Sequence, residues 1–164
     1  MHALSAVKGG DFEVVDTSKI GVVFVGRRSN DVIDGNDGVN RMFGDRGDDR
    51  MSGAGGRDRI IGWTGDDVLT GGKGSDHFVF DDHWAKGYDS KRLGDDEITD
   101  FVARGRQHDM IEIAKSLGVS SFVALMDHAH QQGHDLVITL NRETEVTLDD
   151  VGKADLTAGD FSFV

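Results

Sequence analysis

The sequence predicts an all-β fold: a right-handed parallel β-roll of about three coils, with a β-rich C-terminal cap that contains one short helix. A nine-residue pattern repeats six times without a gap over residues 26–79. The chain has 23 glycines and no proline, which argues against collagen-like and proline-rich chains. We expect one domain over 1–164, with an N-terminal capping strand region (1–25), the repeats (26–79) and a C-terminal cap (80–164).

The repeat places glycine at fixed positions. The six units are GRRSNDVID, GNDGVNRMF, GDRGDDRMS, GAGGRDRII, GWTGDDVLT and GGKGSDHFV. Glycine is first in every unit and fourth in all but the first, which has Ser29 there. Glycine adopts backbone angles that side chains forbid, so the first half of each unit is predicted to be a tight turn.

The last three residues of each unit are predicted to form a short strand. Its middle residue, at position eight, is always apolar: Ile33, Met42, Met51, Ile60, Leu69 and Phe78. Side chains alternate between the two faces of a strand, so position eight points to one side and positions seven and nine to the other. Stacked units bury such residues as one column, and two units make one coil.

Position six supplies candidate metal ligands: Asp31, Asn40, Asp49, Asp58, Asp67 and Asp76. Turns at one edge stack about 4.8 Å apart, where carboxylates repel unless a cation separates them. Calcium binds carboxylates together with backbone carbonyls. We predict about four or more calcium ions, between units 1/3, 3/5, 2/4 and 4/6. The carbonyl ligands predicted from positions one and four are those of Gly35, Gly38, Gly44, Gly47, Gly53, Gly56, Gly62, Gly65, Gly71 and Gly74.

These units closely resemble GGxGxDxUx, the repeat of the RTX (hemolysin-type) calcium-binding family. They depart from it at Arg27 and Ser29, and at Asn40, whose neutral side chain predicts weaker binding between units two and four. The tail resembles the C-terminal region of serralysin-type proteases, where a D-x-I-x-D-F segment closes the roll. That resemblance implies further calcium ligands at Asp96 and Asp100. The chain also resembles the R-modules of mannuronan C-5 epimerases in size and layout.

The flanking segments predict further strands and one helix. Predicted strands cover 20–25, 95–101, 110–113, 136–140 and 145–151, and a helix over 120–132 is expected to be capped by Ser120 or Ser121. The segment 160–164, DFSFV, resembles the acidic-then-apolar terminus that type I exporters recognise in this family. An ordinary closing strand is an equal alternative for that segment.

Composition limits the function. The net charge of −12 argues against nucleic acid as a partner, and without cysteine there are neither disulfides nor Cys-type zinc sites. No H-E-x-x-H or G-x-S-x-G motif occurs, so we expect no catalytic residues. His128, His130 and His134 are expected to be surface residues. We expect a monomer without a membrane span, and no cleaved signal peptide is recognisable in residues 1–20.

Two functions remain as hypotheses. The first is a non-catalytic calcium-binding module of a secreted, extracellular bacterial protein, which folds on binding calcium outside the cell and supports type I secretion. The second is calcium-dependent binding of an alginate-like anionic polysaccharide by a module of a secreted carbohydrate-modifying enzyme, through Arg41, Arg50 and Arg59 at position seven. For those arginines, the simpler alternative is that they balance neighbouring aspartates.

Overall fold

The computed structural model describes residues 7–8, 23–81 and 93–164. The predicted strand residues 20–22 lie outside this part of the chain. In chain order the strands are β1 (Val7–Lys8), β2 (Val23–Val25), β3 (Val32–Asp34), β4 (Arg41–Arg46), β5 (Arg50–Ser52), β6 (Gly55–Gly56), β7 (Arg59–Thr64), β8 (Val68–Thr70), β9 (Lys73–Gly74), β10 (His77–Phe80), β11 (Gly94–Ile98), β12 (Met110–Ile113), β13 (Ala129–Gln132), β14 (Asp135–Asn141), β15 (Thr144–Leu148) and β16 (Phe161–Phe163). One α-helix, α1, spans Phe122–Asp127 within the described ranges.

Odd and even units form two separate parallel sheets, as the repeat predicted. The strands of units one, three and five lie in the order β3-β5-β8, and those of units two, four and six in the order β4-β7-β10. Residues eighteen apart are paired on neighbouring strands: Arg50 is paired with Val68, and Met42 with Ile60. The chain therefore forms a parallel β-roll with two units per coil.

A single apolar column fills the roll. The side chains at position eight are at most 1 % exposed in all six units. Phe24 extends this column before the first unit, and Ile98 and Ile111 extend it after the last. A short strand buries only one such side chain, so the core forms only when coils stack.

Two strands continue the roll beyond the repeats. Strand β11 pairs in parallel with β8 of unit five, and β12 pairs in parallel with β10 of unit six. Each retains the second half of a repeat, an aspartate followed two residues later by a buried isoleucine: Asp96 with Ile98, and Asp109 with Ile111. The roll therefore extends one further strand on each sheet after the glycine pattern has ended.

The helix in the C-terminal cap is shorter than the sequence predicted. Helix α1 ends at Asp127 rather than Gln132, and the chain continues as β13, which pairs antiparallel with β14. Ser121 is the N-cap, accepting a hydrogen bond from the Ala124 N–H. At the other end, Lys153 Nζ donates to the carbonyls of Met126 (2.6 Å) and Ala129 (2.7 Å). These contacts with a distant lysine satisfy carbonyls at the point where the chain turns.

The segment that resembles an export signal forms the closing strand. Strand β16 pairs in parallel with β12 at the edge of the even sheet. Asp160 is buried, and its carboxylate accepts hydrogen bonds from the Thr157 backbone N–H (2.6 Å) and hydroxyl (2.9 Å). In the folded chain, residues 160–163 are thus part of the packed cap.

Candidate calcium sites between the coils

The aspartates at position six form a hydrogen-bonded ladder along each edge of the roll. On the odd edge, the backbone N–H of Asp31 donates to Asp49 Oδ1 (2.7 Å), and that of Asp49 donates to Asp67 Oδ1 (2.8 Å). On the even edge, Asn40 N–H donates to Asp58 Oδ1 (2.7 Å) and Asp58 N–H to Asp76 Oδ1 (2.8 Å). One oxygen of each acceptor carboxylate is therefore held by the neighbouring coil.

The second oxygen of four of these carboxylates has no hydrogen-bond partner among the described residues. These oxygens are Oδ2 of Asp49, Asp58, Asp67 and Asp76. The four aspartates are at most 1 % exposed, so bulk solvent does not reach these oxygens. A buried carboxylate oxygen without a donor is costly unless the group is protonated or a cation binds to it.

Burial accordingly raises the pKa of these carboxyl groups. The pKa is raised to about 7 for Asp49 and Asp58 and to about 8 for Asp67, chiefly by desolvation. Burial also raises the pKa of Asp76, and raises that of Asp96 well above the ordinary range. The charged state of each row is therefore unfavourable without a counter-ion.

Backbone carbonyls lie beside these unpartnered oxygens. A Cβ atom built on Gly53 would contact both Asp58 Oδ2 and the carbonyl oxygen of Gly71, which is 2.6 Å from it. A Cβ atom on Gly44 would likewise meet Asp49 Oδ2 and the Gly62 carbonyl oxygen. Carboxylate and carbonyl oxygens from two successive coils thus converge beside the first glycine of a unit. This donor set fits calcium, which prefers oxygen ligands of both kinds.

No alternative metal site made of side chains alone is found in the described part of the chain. Across residues 7–8, 23–81 and 93–164, no three histidine, aspartate or glutamate side chains are gathered so as to hold a metal ion. The candidate sites therefore depend on backbone carbonyls as well as on aspartates. Oxygens of this kind converge between units 3/5 and 4/6, and calcium binding there stays a prediction.

The gap between units one and three differs from the gaps between units 3/5 and 4/6. Asp31 Oδ2 already accepts a hydrogen bond from the Arg27 backbone N–H over 2.7 Å. The oxygen still lies near the Gly44 carbonyl, since both would be close to a Cβ atom on Gly26. An ion between units one and three would thus share Asp31 with a backbone donor.

Residues after the repeats terminate both ladders. Asp67 N–H donates to Asp96 Oδ1 (2.9 Å), and Asp76 N–H donates to Asp109 Oδ1 (2.8 Å). Asp96 was predicted from the closing segment, whereas Asp109 was missed. Its signal was the fragment Asp-Met-Ile-Glu, which keeps positions six to nine of a repeat without the glycines.

Asp100 has a different position from the other predicted ligands. Its Oδ1 accepts from the Gly71 N–H (2.9 Å) and its Oδ2 from the Gly72 N–H (2.7 Å). The carboxylate thereby caps the turn that opens unit six. Whether it also binds an ion stays a prediction.

The three arginines do not share one surface. Arg41 and Arg59 face each other on the even sheet, and Arg50 lies on the odd sheet. The guanidinium of Arg59 binds Glu112 in a two-point ion pair, with Nη2–Oε1 and Nη1–Oε2 distances of 2.9 and 3.3 Å. Arg41 and Arg50 are exposed.

Known proteins share the repeat and the fold of this chain. Residues 23–51 and 43–78 match the family described as the RTX calcium-binding nonapeptide repeat. No curated protein sequence matches the chain. The extracellular lipase LipA of Serratia marcescens has a similar fold, with a TM-score of 0.66 and 22 % identity over 87 % of this chain. This chain spans only 21 % of that lipase.

Two smaller solved structures match over most of their own length. They are subunits of the Azotobacter vinelandii mannuronan C-5 epimerase. The AlgE6R3 subunit has a TM-score of 0.55 and 21 % identity, covering 94 % of this chain and 86 % of that one. The AlgE6R2 subunit has a TM-score of 0.58 and 22 % identity, covering 89 % and 92 %. At these identities the likeness shows a shared β-roll fold.

Proposed function

We propose that calcium binding between the coils drives this chain to fold, as befits residues 23–51 and 43–78, which match the RTX calcium-binding nonapeptide repeat. One observation carries the proposal: four buried carboxylate oxygens, on Asp49, Asp58, Asp67 and Asp76, have no donor among the described residues. Calcium supplies the missing positive charge and draws the carbonyls of the next coil to it. Because the sites exist only when coils stack, binding free energy becomes folding free energy.

A calcium titration followed by circular dichroism tests this proposal. In excess chelator we expect the strand signal to be largely lost, and in about millimolar calcium we expect it to return. Magnesium is the matched control, because it demands short octahedral distances that backbone carbonyls supply poorly. A chain that stays fully folded in chelator would reject the proposal.

The same switch suits a protein that leaves a bacterial cell through a type I exporter, so we propose a secreted, extracellular location. Calcium is scarce inside the cell, so the chain stays unfolded until export. In the folded state Phe161 is buried and β16 is paired with β12. An exporter would therefore reach residues 160–164 only before the cap forms.

Export from cells that carry a type I exporter tests this part. We expect the full chain in the medium and a chain lacking 160–164 retained in the cells. A variant with the terminal sequence intact but Asp67→Asn should still be exported, since it alters folding rather than the terminus. Equal export with and without 160–164 would contradict the exporter proposal.

Polysaccharide binding remains a second candidate. The repeats hold 10 acidic and 8 basic residues. Four calcium ions would thus make the roll positively charged on an acidic chain. Exposed Arg41 lies beside Arg59 on one sheet. Alginate titrated into the calcium-loaded chain tests this candidate, with Arg41→Ala as the variant and Arg104→Ala as the control. Unchanged binding in Arg41→Ala would exclude this surface.

A further inference from the structure

One gap between coils is filled by a side-chain amide. Asn40 is 0 % exposed and occupies position six of unit two. Its Nδ2 lies within hydrogen-bond distance of four oxygens. They are the carbonyl oxygens of Gly38 (2.8 Å), Asn36 (2.9 Å) and Gly53 (3.2 Å), and Asp58 Oδ1 (3.1 Å). Three are backbone carbonyls and one is a carboxylate oxygen, drawn from units two and four. Carbonyl and carboxylate oxygens of this kind are also the ligands that calcium prefers.

The neighbouring gap provides the comparison within the same molecule. A Cβ atom built on Gly35 would lie 2.6 Å from the Gly53 carbonyl oxygen and 3.1 Å from Asn40 Nδ2. One coil later, a Cβ atom on Gly53 would lie 2.6 Å from the Gly71 carbonyl oxygen and beside Asp58 Oδ2. The place taken by an N–H donor in the first gap is taken by a carboxylate oxygen in the second. In the second gap that carboxylate oxygen, Asp58 Oδ2, has no hydrogen-bond donor among the described residues.

The orientation of the amide follows from the same contacts. Turning the group over would point Asn40 Oδ1 at four oxygens, which is unfavourable unless a cation lies among them. In the present orientation Oδ1 has no partner among the described residues. The two N–H groups satisfy acceptors that a metal ion would otherwise have to satisfy. Calcium could enter only by displacing them, and one carboxylate rather than two would attract it.

We propose that the Asn40 amide takes the place of calcium between units two and four, so that this gap is closed without a metal ion. The proposal rests on the proposed function for the other gaps and reverses the assignment of Asn40 as a ligand. The even edge then begins with a metal-independent contact between coils. Calcium binding on that edge begins at the gap between units four and six.

Substitution of Asn40 by aspartate tests the assignment. Asn40→Asp replaces the donor with a second carboxylate and should add one calcium ion per chain, counted by equilibrium dialysis at saturating calcium. Asp49→Asn is the matched exchange in the opposite direction on the odd edge, and should remove one ion. The difference between the two variants is therefore two ions per chain.

Crystals of the calcium-loaded chains locate the ions by anomalous scattering. In the wild type we expect peaks between units 3/5 and 4/6 and none between units 2/4, with a new peak there in Asn40→Asp. A wild-type peak between units 2/4 would overturn this inference alone. An Asn40→Asp chain with no added ion would overturn it too, because the amide would not be the cause. Absence of calcium from every gap would instead reject the proposed function and this inference with it.

Discussion

Asp49 and Asp67 are joined across one coil: the backbone N–H of Asp49 donates to Asp67 Oδ1 over 2.8 Å, while Asp67 Oδ2 has no donor among the described residues. One carboxylate thus does two things. Its first oxygen sets the register of adjacent coils, and its second is a buried, unpartnered oxygen to which a cation can bind. The stacking that builds the roll therefore also builds its metal sites.

Stability without calcium should depend on pH. Burial raises the pKa of Asp49 to about 7 and that of Asp67 to about 8, from an ordinary value of 3.8. Because the folded-state pKa is the higher one, this contribution to stability is complete below the unfolded-state pKa and is lost as pH rises through 7 to 8. In chelator we therefore expect more of the strand signal in circular dichroism to remain at about pH 5 than at about pH 8.

Asp67→Asn is the control for this dependence. Removing the carboxyl with the higher pKa of the two should reduce the loss of strand signal between about pH 5 and pH 8. A strand signal in chelator that grows as the pH rises over this range would contradict the explanation.

Filling the space beside a first glycine should block a site. Gly53→Ala places a methyl group against Asp58 Oδ2 and the Gly71 carbonyl oxygen. We expect loss of one calcium ion and a fall of about 1–3 kcal/mol in the free energy of unfolding at millimolar calcium. Gly159→Ala is the matched control, since its Cβ would meet nothing nearer than 3.5 Å. Isothermal calorimetry and urea unfolding measure both effects, and an unchanged ion count in Gly53→Ala would contradict the site geometry.

Asp109 should be needed to end the even ladder. Its two carboxylate oxygens accept hydrogen bonds from the backbone N–H groups of Asp76 and Val102, each over 2.8 Å. Asp109→Ala leaves both buried donors unsatisfied and should cost about 2–4 kcal/mol in calcium. Asp109→Asn keeps one acceptor and should cost less, as thermal or urea unfolding would show. Equal losses of stability in the two variants would indicate that Asp109 stabilises the fold through packing rather than through hydrogen bonds.

The ion pair between Arg59 and Glu112 should contribute little to the free energy of unfolding. Their side chains are 36 % and 20 % exposed, and the pair spans from the repeats to β12. A double-mutant cycle with Arg59→Ala and Glu112→Ala should give a coupling of about 0.5–1 kcal/mol that weakens in high salt. A coupling unaffected by salt would mean that the pair is held by packing instead.

Much of the roll could be predicted because its period is local. Nine-residue spacing places position eight inside and position six at an edge, so the buried column and the aspartate rows follow directly. The helix was predicted too long because apolar spacing through Met126 and Ala129 continues past its end. Contacts of Lys153 with the Met126 and Ala129 carbonyls are absent from that local pattern.

By itself, the sequence determined the β-roll, the two sheets and the edges that carry carboxylates, because a repeated unit repeats its turns and strands. Tertiary structure alone decided how each ladder ends and which acceptors surround the Asn40 amide. Asp109 terminates a ladder through Asp76, 33 residues away, and Asn40 meets acceptors in both its own unit and unit four. Partners of this kind depend on how closely stacked coils approach, and no residue pattern within one unit specifies that distance.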